Sequence, residues 1–278
     1  MKTGIQLYAL IALLGAMTLQ GAEDGKPSYD KSLIEGRRIA RMLLGQRPTE
    51  NAAVAGSIEV RPRSGEARTI PFQSRVVVDG DGEWRAIYET ESAGAAPAMR
   101  LTIRHTRNVA ADFFVQERVR EGGYGELRKL SWKEVFQPFA GSDFRIIDLA
   151  YPHSDHLTWP TQRLLDKDIR RGQSCYELES VNPNPGQGGF ARVISWIDID
   201  TGGPLEITGY DSNDGKLLQF SPKRFRKIDG EFKVTELHIS NRETRSRSVL
   251  RFDFRKSENE AAESRQSALD AKADAEAE

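Results

Sequence analysis

From Gly56 onward, apolar and polar side chains alternate with a period of two. Ile58 and Val60 alternate with Glu59 and Arg61. Ile70, Phe72, Val76 and Val78 alternate with Gln73, Arg75 and Asp79. Met99, Leu101 and Ile103 alternate with Arg100, Thr102 and Arg104, and Leu250, Phe252 and Phe254 with Arg251, Asp253 and Arg255. Such alternation predicts strands with one buried and one wet face, as in an antiparallel sheet. Asp79-Gly80-Asp81-Gly82, Asp214-Gly215 and Asp229-Gly230 lie between strand patterns and suit tight hairpins. These signals give roughly eleven short, serially connected strands. There is no βαβ rhythm, which argues against a parallel sheet.

Two stretches depart from this period. Leu33, Ile34, Ile39, Ala40, Leu43 and Leu44 approximate one face of a helix over 29–44, which Ser28 can cap and Gly45 and Pro48 can end. That helix reads as packed against a sheet in preference to a membrane surface. The second departure is mid-chain, Phe139 to Leu149. Pro138 and Gly141 break regular structure and Ser142 or Asp143 can cap a short turn carrying Phe144, Ile147 and Leu149. It reads as a non-strand plug with an apolar edge. Phe190 to Ile199 is apolar on both faces: Phe190, Ile194 and Trp196 on one, Val193, Ile197 and Ile199 on the other. Such a strand is covered on both sides. A barrel interior is either filled with side chains or left open for a ligand, and the pattern leaves both choices standing.

The two ends follow other rules. Lys2, the apolar run Ile5 to Leu19 and the small pair Gly21-Ala22 read as a secretory signal peptide over residues 1–22, cleaved near Ala22. The run is shorter than the ~20 residues of a membrane span, so the mature chain is expected to be periplasmic and not an integral membrane protein. Residues 23–256 read as a single domain. Residues 257–278 are almost entirely Ala, Glu, Asp, Ser and Lys and read as a disordered tail.

Charge adds little. Forty basic and 41 acidic side chains leave a net charge of -1, so there is no overall electrostatic case for nucleic acid. Arginine and lysine are dense at Arg100, Arg104 and Arg107, at Lys223, Arg224, Arg226 and Lys227, and at Arg242, Arg245, Arg247 and Arg251. Alternation makes most of them the solvated face of a strand; the competing reading is a positive rim for phospholipid heads or an acidic partner. Cys175, the one cysteine, forms no intrachain disulfide and reads as a buried small apolar residue.

Candidate chemistry is sparse. Asp79-Gly80-Asp81-Gly82-Glu83 lacks the ligand spacing of a calcium loop. His153 and His156 flank Asp155 without a third zinc ligand nearby; a pH-sensitive contact fits them better. No phosphate loop and no nucleophile elbow is present. No catalytic residue, metal ligand or cofactor site is therefore assigned, and the expectation is a protein that is not an enzyme.

Four motifs carry a resemblance. Gly141-Ser142-Asp143-Phe144 with Asp148-Leu149, Gly172-Gln173-Ser174-Cys175-Tyr176-Glu177-Leu178, Trp196-Ile197-Asp198, and Tyr210-Asp211-Ser212-Asn213-Asp214-Gly215-Lys216-Leu217-Leu218 follow one another. Together they resemble the outer-membrane lipoprotein-sorting family, the LolA-like periplasmic carriers and their LolB-like relatives. The resemblance implies an incomplete, strongly curved antiparallel β-barrel covered by an N-terminal helix and the helical plug, enclosing an apolar cavity. It implies a carrier that binds acyl chains of lipoproteins or other lipids and moves them towards the outer membrane. An inner-membrane transporter and an outer-membrane acceptor are the implied partners. On that reading Phe72, Val76, Trp84, Leu101, Ile103, Phe114, Ile194, Trp196 and Phe252 line the cavity, and Phe139, Phe144, Ile147 and Leu149 form the lid. The alternative is a non-transport envelope module that holds a protein partner through the sheet and the acidic tail. A hydrolase with an unrecognised acid pair ranks below both.

Overall fold

Period-two alternation becomes one long antiparallel sheet. The computed structural model describes residues 5–6, 28–92, 97–106, 110–119, 123–150, 155–228 and 231–254. The signal peptide beyond residues 5–6, Arg107, His153, the Asp229-Gly230 turn and the tail 257–278 lie outside the described residues.

The strands are β1 (Ile5–Gln6), β2 (Ala52–Arg61), β3 (Arg68–Gly80), β4 (Glu83–Thr90), β5 (Met99–His105), β6 (Asp112–Glu117), β7 (Arg128–Lys129), β8 (Thr161–Arg170), β9 (Gln173–Val181), β10 (Arg192–Asp198), β11 (Pro204–Tyr210), β12 (Lys216–Ile228), β13 (Glu231–Asn241) and β14 (Ser246–Asp253). Thirteen follow the order β7-β6-β5-β4-β3-β2-β14-β13-β12-β11-β10-β9-β8, and β1 pairs in parallel with Phe232 and Lys233 of β13. The expectation of about eleven strands is thus two short. Two meanders run outward from a central seam where β2 pairs with β14, Ile58 opposite Leu250. Register shifts at Val78/Gly80, Leu164/Asp166, Trp196/Ile197 and Pro222/Arg224 mark bulges. Bulges bend and twist a strand, so they help the sheet curl. Its two ends, β7 and β8, do not pair, so the barrel stays incomplete.

The concave face carries the core. Val54, Ile58, Ile70, Phe72, Tyr88, Leu101, Ile103, Leu178, Ile197, Leu237 and Leu250 belong to one buried apolar cluster. Two covers lie on it. Helix α1 (Tyr29–Leu44) packs along β8. Its buried stripe is Ser32, Gly36, Ile39, Ala40 and Leu43, while Ile34 is 64% exposed. The apolar face expected from the sequence is therefore rotated towards two small residues. The cause is Gly36: a Cβ there would meet the Gln162 carbonyl at 2.5 Å, so the helix backbone rests on the strand backbone. The Ser32 hydroxyl donates to the Leu164 carbonyl at 2.7 Å across that contact.

The second cover is the plug. Four 3-10 turns, Glu134–Phe136, Phe139–Gly141, Ile146–Ala150 and Asp155–Thr158, link the two meanders. Val135, Phe139, Phe144, Ile146, Ile147, Leu149 and Leu157 join the core cluster.

Candidate functional site

The motif around Gly141 is a fastening device. Ala140 (φ 49°) and Gly141 (φ 67°) turn the backbone left-handed. The Ser142 hydroxyl donates to the Phe139 carbonyl at 2.7 Å and accepts from the Phe144 N–H at 3.2 Å. The Asp143 carboxylate accepts from the hydroxyls of Ser246 and, at 2.7 Å, Ser248 on β14. Arg145 donates to the Asp148 carboxylate, Nη2 to Oδ1 at 2.7 Å. The Arg68 guanidinium donates to the Gly141 carbonyl. Phe144 and Ile147 are thereby held against the sheet, with Phe144 edge-on to Phe220 at 6.5 Å. Phe139 meets Tyr88 edge-on at 6.0 Å, and the Tyr88 hydroxyl donates to the Leu149 carbonyl at 3.4 Å.

Among the described residues, the concave face is mainly covered by buried side chains of the core and the plug. A pocket of about 40 Å³ remains inside, between Arg145, Phe190, Val193, Leu218, Phe220 and Ile239. A larger free space, a cleft of about 810 Å³, lies at the mouth. It is bounded by the β2–β3 turn, the plug from Phe136 to Arg145, Phe190, the start of β12 and the β13–β14 turn. Its size lies in the range of small-molecule sites, 300–1,000 Å³ by general survey. Phe136, Pro138, Phe190, Leu217 and Leu218 form its apolar wall, and Arg63, Glu66, Arg68 and Glu243 its polar one. Arg145, Phe190 and Leu218 border both spaces, so cleft and inner pocket adjoin. Phe190 lies over Gly209, where a Cβ would meet its ring at 2.5 Å. A third space of about 170 Å³ opens at the other end of β2 and β3, beside Val54, Val76 and Phe254.

Of the nine side chains expected to line a cavity, Phe72, Val76, Trp84, Leu101, Ile103 and Phe252 lie in the core cluster. Phe72 and Phe252 meet edge-on at 5.8 Å across the seam. Phe114, Ile194 and Trp196 do not line the interior. By alternation they fall on the opposite face, one residue out of phase with Phe113, Val193 and Ile197, and Ile194 is itself buried there. Arg104 covers the Phe114 ring at 5.2 Å and Arg170 the Trp196 ring at 4.8 Å. An apolar side chain on the outer face of a strand looks like a core residue when both faces are apolar, and the arginine stems that cover it come from other strands, Arg104 from the adjacent β5 and Arg170 from β8, two strands away. Many of those outer arginines pair with carboxylates: Arg100 with Glu89, Arg251 with Glu59 at 2.5 Å, Arg170 with Glu206 at 2.9 Å. This supports a solvated strand face for them. The cleft residues Arg68 and Ser246, at the first positions of β3 and β14, and Arg145 of the plug escaped the period-two pattern.

Within the plug, Arg145, Asp148, Asp155 and His156 form a polar group in which Asp155 and His156 are buried. Burial pushes the Asp155 carboxyl up to about 6, against the opposing pull of Arg145. Burial, helped by Arg145, pushes His156 down to about 4. Burial also raises Cys175 to about 11, so its thiol stays protonated and weakly nucleophilic. Among the described residues, no three His, Cys, Asp or Glu side chains converge as a metal site. No helix among them is long and apolar enough to cross a membrane.

A family model described as "Uncharacterized protein" matches residues 123–265. No curated protein matches. Solved structures with the same fold include a DUF1329 family protein from Desulfovibrio piger (18% identity, 80% of this chain and 92% of that one, TM-score 0.65). A putative outer membrane lipoprotein-sorting protein domain from Vibrio parahaemolyticus is similar as well (16%, 80% and 91%, TM-score 0.63). So is a LolA superfamily protein from Nitrosomonas europaea (13%, 80% and 91%, TM-score 0.51). The incomplete barrel is thus LolA-like in fold.

Proposed function

The chain belongs to the family whose model spans residues 123–265, and from that premise we propose that it is a periplasmic carrier. It takes acyl chains of lipoproteins or other lipids onto the concave face and moves them towards the outer membrane. An inner-membrane transporter that loads it and an outer-membrane acceptor that unloads it are part of the proposal. Binding is noncovalent, without cofactor or catalysis.

One observation carries this reading. The apolar concave face is closed over the plug region by short turns fastened through side chains, next to an 810 Å³ cleft. Such a cover can leave without breaking the sheet. The exchange is also balanced in free energy. Burying a CH₂ is worth about 0.8 kcal/mol, so ~15 of them contribute ~12 kcal/mol. Withdrawing Phe139, Phe144, Ile147 and Leu149 costs about 1.5–3 kcal/mol each, or about 6–12 kcal/mol together. An acyl chain that replaces them therefore binds reversibly, as a carrier requires. Because the interior is filled at rest, loading requires the plug to move.

Native mass spectrometry of the protein purified gently from a bacterial periplasm tests this, with solvent extraction of bound material. The expected result is a discrete mass excess that extracts as lipid. A bare protein mass that persists after incubation with lipoprotein and phospholipid micelles refutes it and favours a module that binds a protein partner.

A further inference from the structure

The cleft is asymmetric in a way that names its ligand more closely. On its polar wall sits Arg68. Every other half-buried arginine among the described residues is matched by a carboxylate, as Arg100 is by Glu89, Arg145 by Asp148 and Arg170 by Glu206. Arg68 has none. Its hydrogen bond to a neutral carbonyl, that of Gly141, is its one side-chain hydrogen bond among the described residues, and its Nε is buried without an acceptor. Arg63 beside it is exposed and likewise forms no ion pair among them.

The acids of the cleft do not answer this charge. Asp143 is engaged by the Ser246 and Ser248 hydroxyls. Glu66 and Glu243 are exposed at the rim, where salt screens them. A guanidinium that is partly desolvated and unmatched attracts an oxyanion, and its planar fork suits a phosphate. Across the cleft the wall is Phe136, Phe190 and Leu218, and Phe190 and Leu218 continue into the inner pocket.

We infer that the cleft receives an amphiphile with a phosphate-type head group, the head at Arg68 with Arg63 alongside, the chain along Phe190 and Leu218 towards the concave face. This rests on the carrier reading and narrows it to phosphate-bearing amphiphiles over neutral ones.

The test is calorimetric titration of the full-length protein with dodecyl phosphate, dodecanol and inorganic phosphate. Dodecyl phosphate is expected to bind about tenfold more tightly than dodecanol. Arg68→Gln is expected to bring the two within about twofold, read as the ratio of the two affinities because losing the bond to the Gly141 carbonyl shifts both alike, and Arg68→Lys, a point charge without the fork, to keep part of the preference. A circular dichroism spectrum and a cooperative denaturant melt check that each variant is folded. Equal binding of both amphiphiles by the unsubstituted protein, or a preference that survives Arg68→Gln, overturns the inference and leaves the carrier reading standing. Inorganic phosphate binding as tightly as dodecyl phosphate also overturns it, since the site would then be one for the free ion. Failure of both amphiphiles to bind removes the carrier reading and the inference together.

Discussion

Replacing Asp155 by asparagine separates two proton equilibria that oppose each other within the plug. Asp155 is raised from 3.8 to about 6 and His156 lowered from 6.5 to about 4, both chiefly by burial. Between about pH 4 and pH 6 the folded protein holds a proton on Asp155 that the unfolded chain has lost, so this group makes stability fall as pH rises. Over the same interval the unfolded chain holds a proton on His156 that the folded protein refuses, so this group makes stability rise with pH. Each effect amounts to about 3 kcal/mol at 1.4 kcal/mol per pH unit. In the unsubstituted protein they nearly cancel. Asp155→Asn removes one side: relative to the unsubstituted protein, the variant should gain about 3 kcal/mol between pH 4 and pH 6. His156→Gln should do the reverse, losing about 3 kcal/mol relative to the unsubstituted protein over the same rise. Urea unfolding at intervals across this range, with the unsubstituted curve subtracted, removes the background of other titrating groups. An Asp155→Asn curve that runs parallel to the unsubstituted one would falsify the claim that burial keeps this carboxyl neutral.

Other consequences are simpler to read. Phe144→Ala should cost about 3–5 kcal/mol in a denaturant melt, because Phe144 is 1% exposed and fills the space between plug and sheet; a loss under 1 kcal/mol would mean the plug collapses freely into the gap. Gly36→Ala places a Cβ 2.5 Å from the Gln162 backbone and should cost about 1–3 kcal/mol, with faster amide exchange along β8. Asp143→Ala releases the Ser246 and Ser248 hydroxyls and should speed amide exchange across residues 139–149 more than in β2 or β14; uniform acceleration would count against a local fastening. Trp196→Ala, on the outer face, should leave the amount of co-purifying lipid unchanged, and a loss of lipid would place the binding surface on the wrong side of the sheet.

The sheet was largely legible because alternation reports burial directly: Ile58, Leu101 and Leu250 are fully buried where their spacing puts them. The motifs were legible for a different reason. They mark local geometry: Asp211 accepts from the Asn213 and Gly215 N–H groups at 2.8 Å to form the β11–β12 turn. Asp198 accepts from the Thr201 N–H at 2.7 Å and its hydroxyl at 2.9 Å. What spacing misled on was β10, where both faces are apolar and Ile194 and Trp196 could be assigned to either. What it did not contain was the mouth. Arg68 and Gly141 are 73 residues apart, and Asp143 and Ser248 are 105 apart, so only the curl of the sheet brings them together. The helix stripe was misjudged because Ser32 and Gly36 bury by being small, a role that hydrophobicity does not register.

The seam of the sheet also decides how the molecule answers a pull. β2 and β14 are the strands nearest the two ends of the described domain, yet they lie side by side in the middle of the sheet, with Ala55 opposite Asp253 and Arg61 opposite Arg247. Tension applied to the segments before β2 and after β14 therefore enters at the same edge of the pair. Its backbone hydrogen bonds are loaded one after another, as in opening a zip, and not all at once as in shear. A load hung on either end would part the two meanders along their common line while each meander stayed whole, leaving the plug as the remaining strap between them.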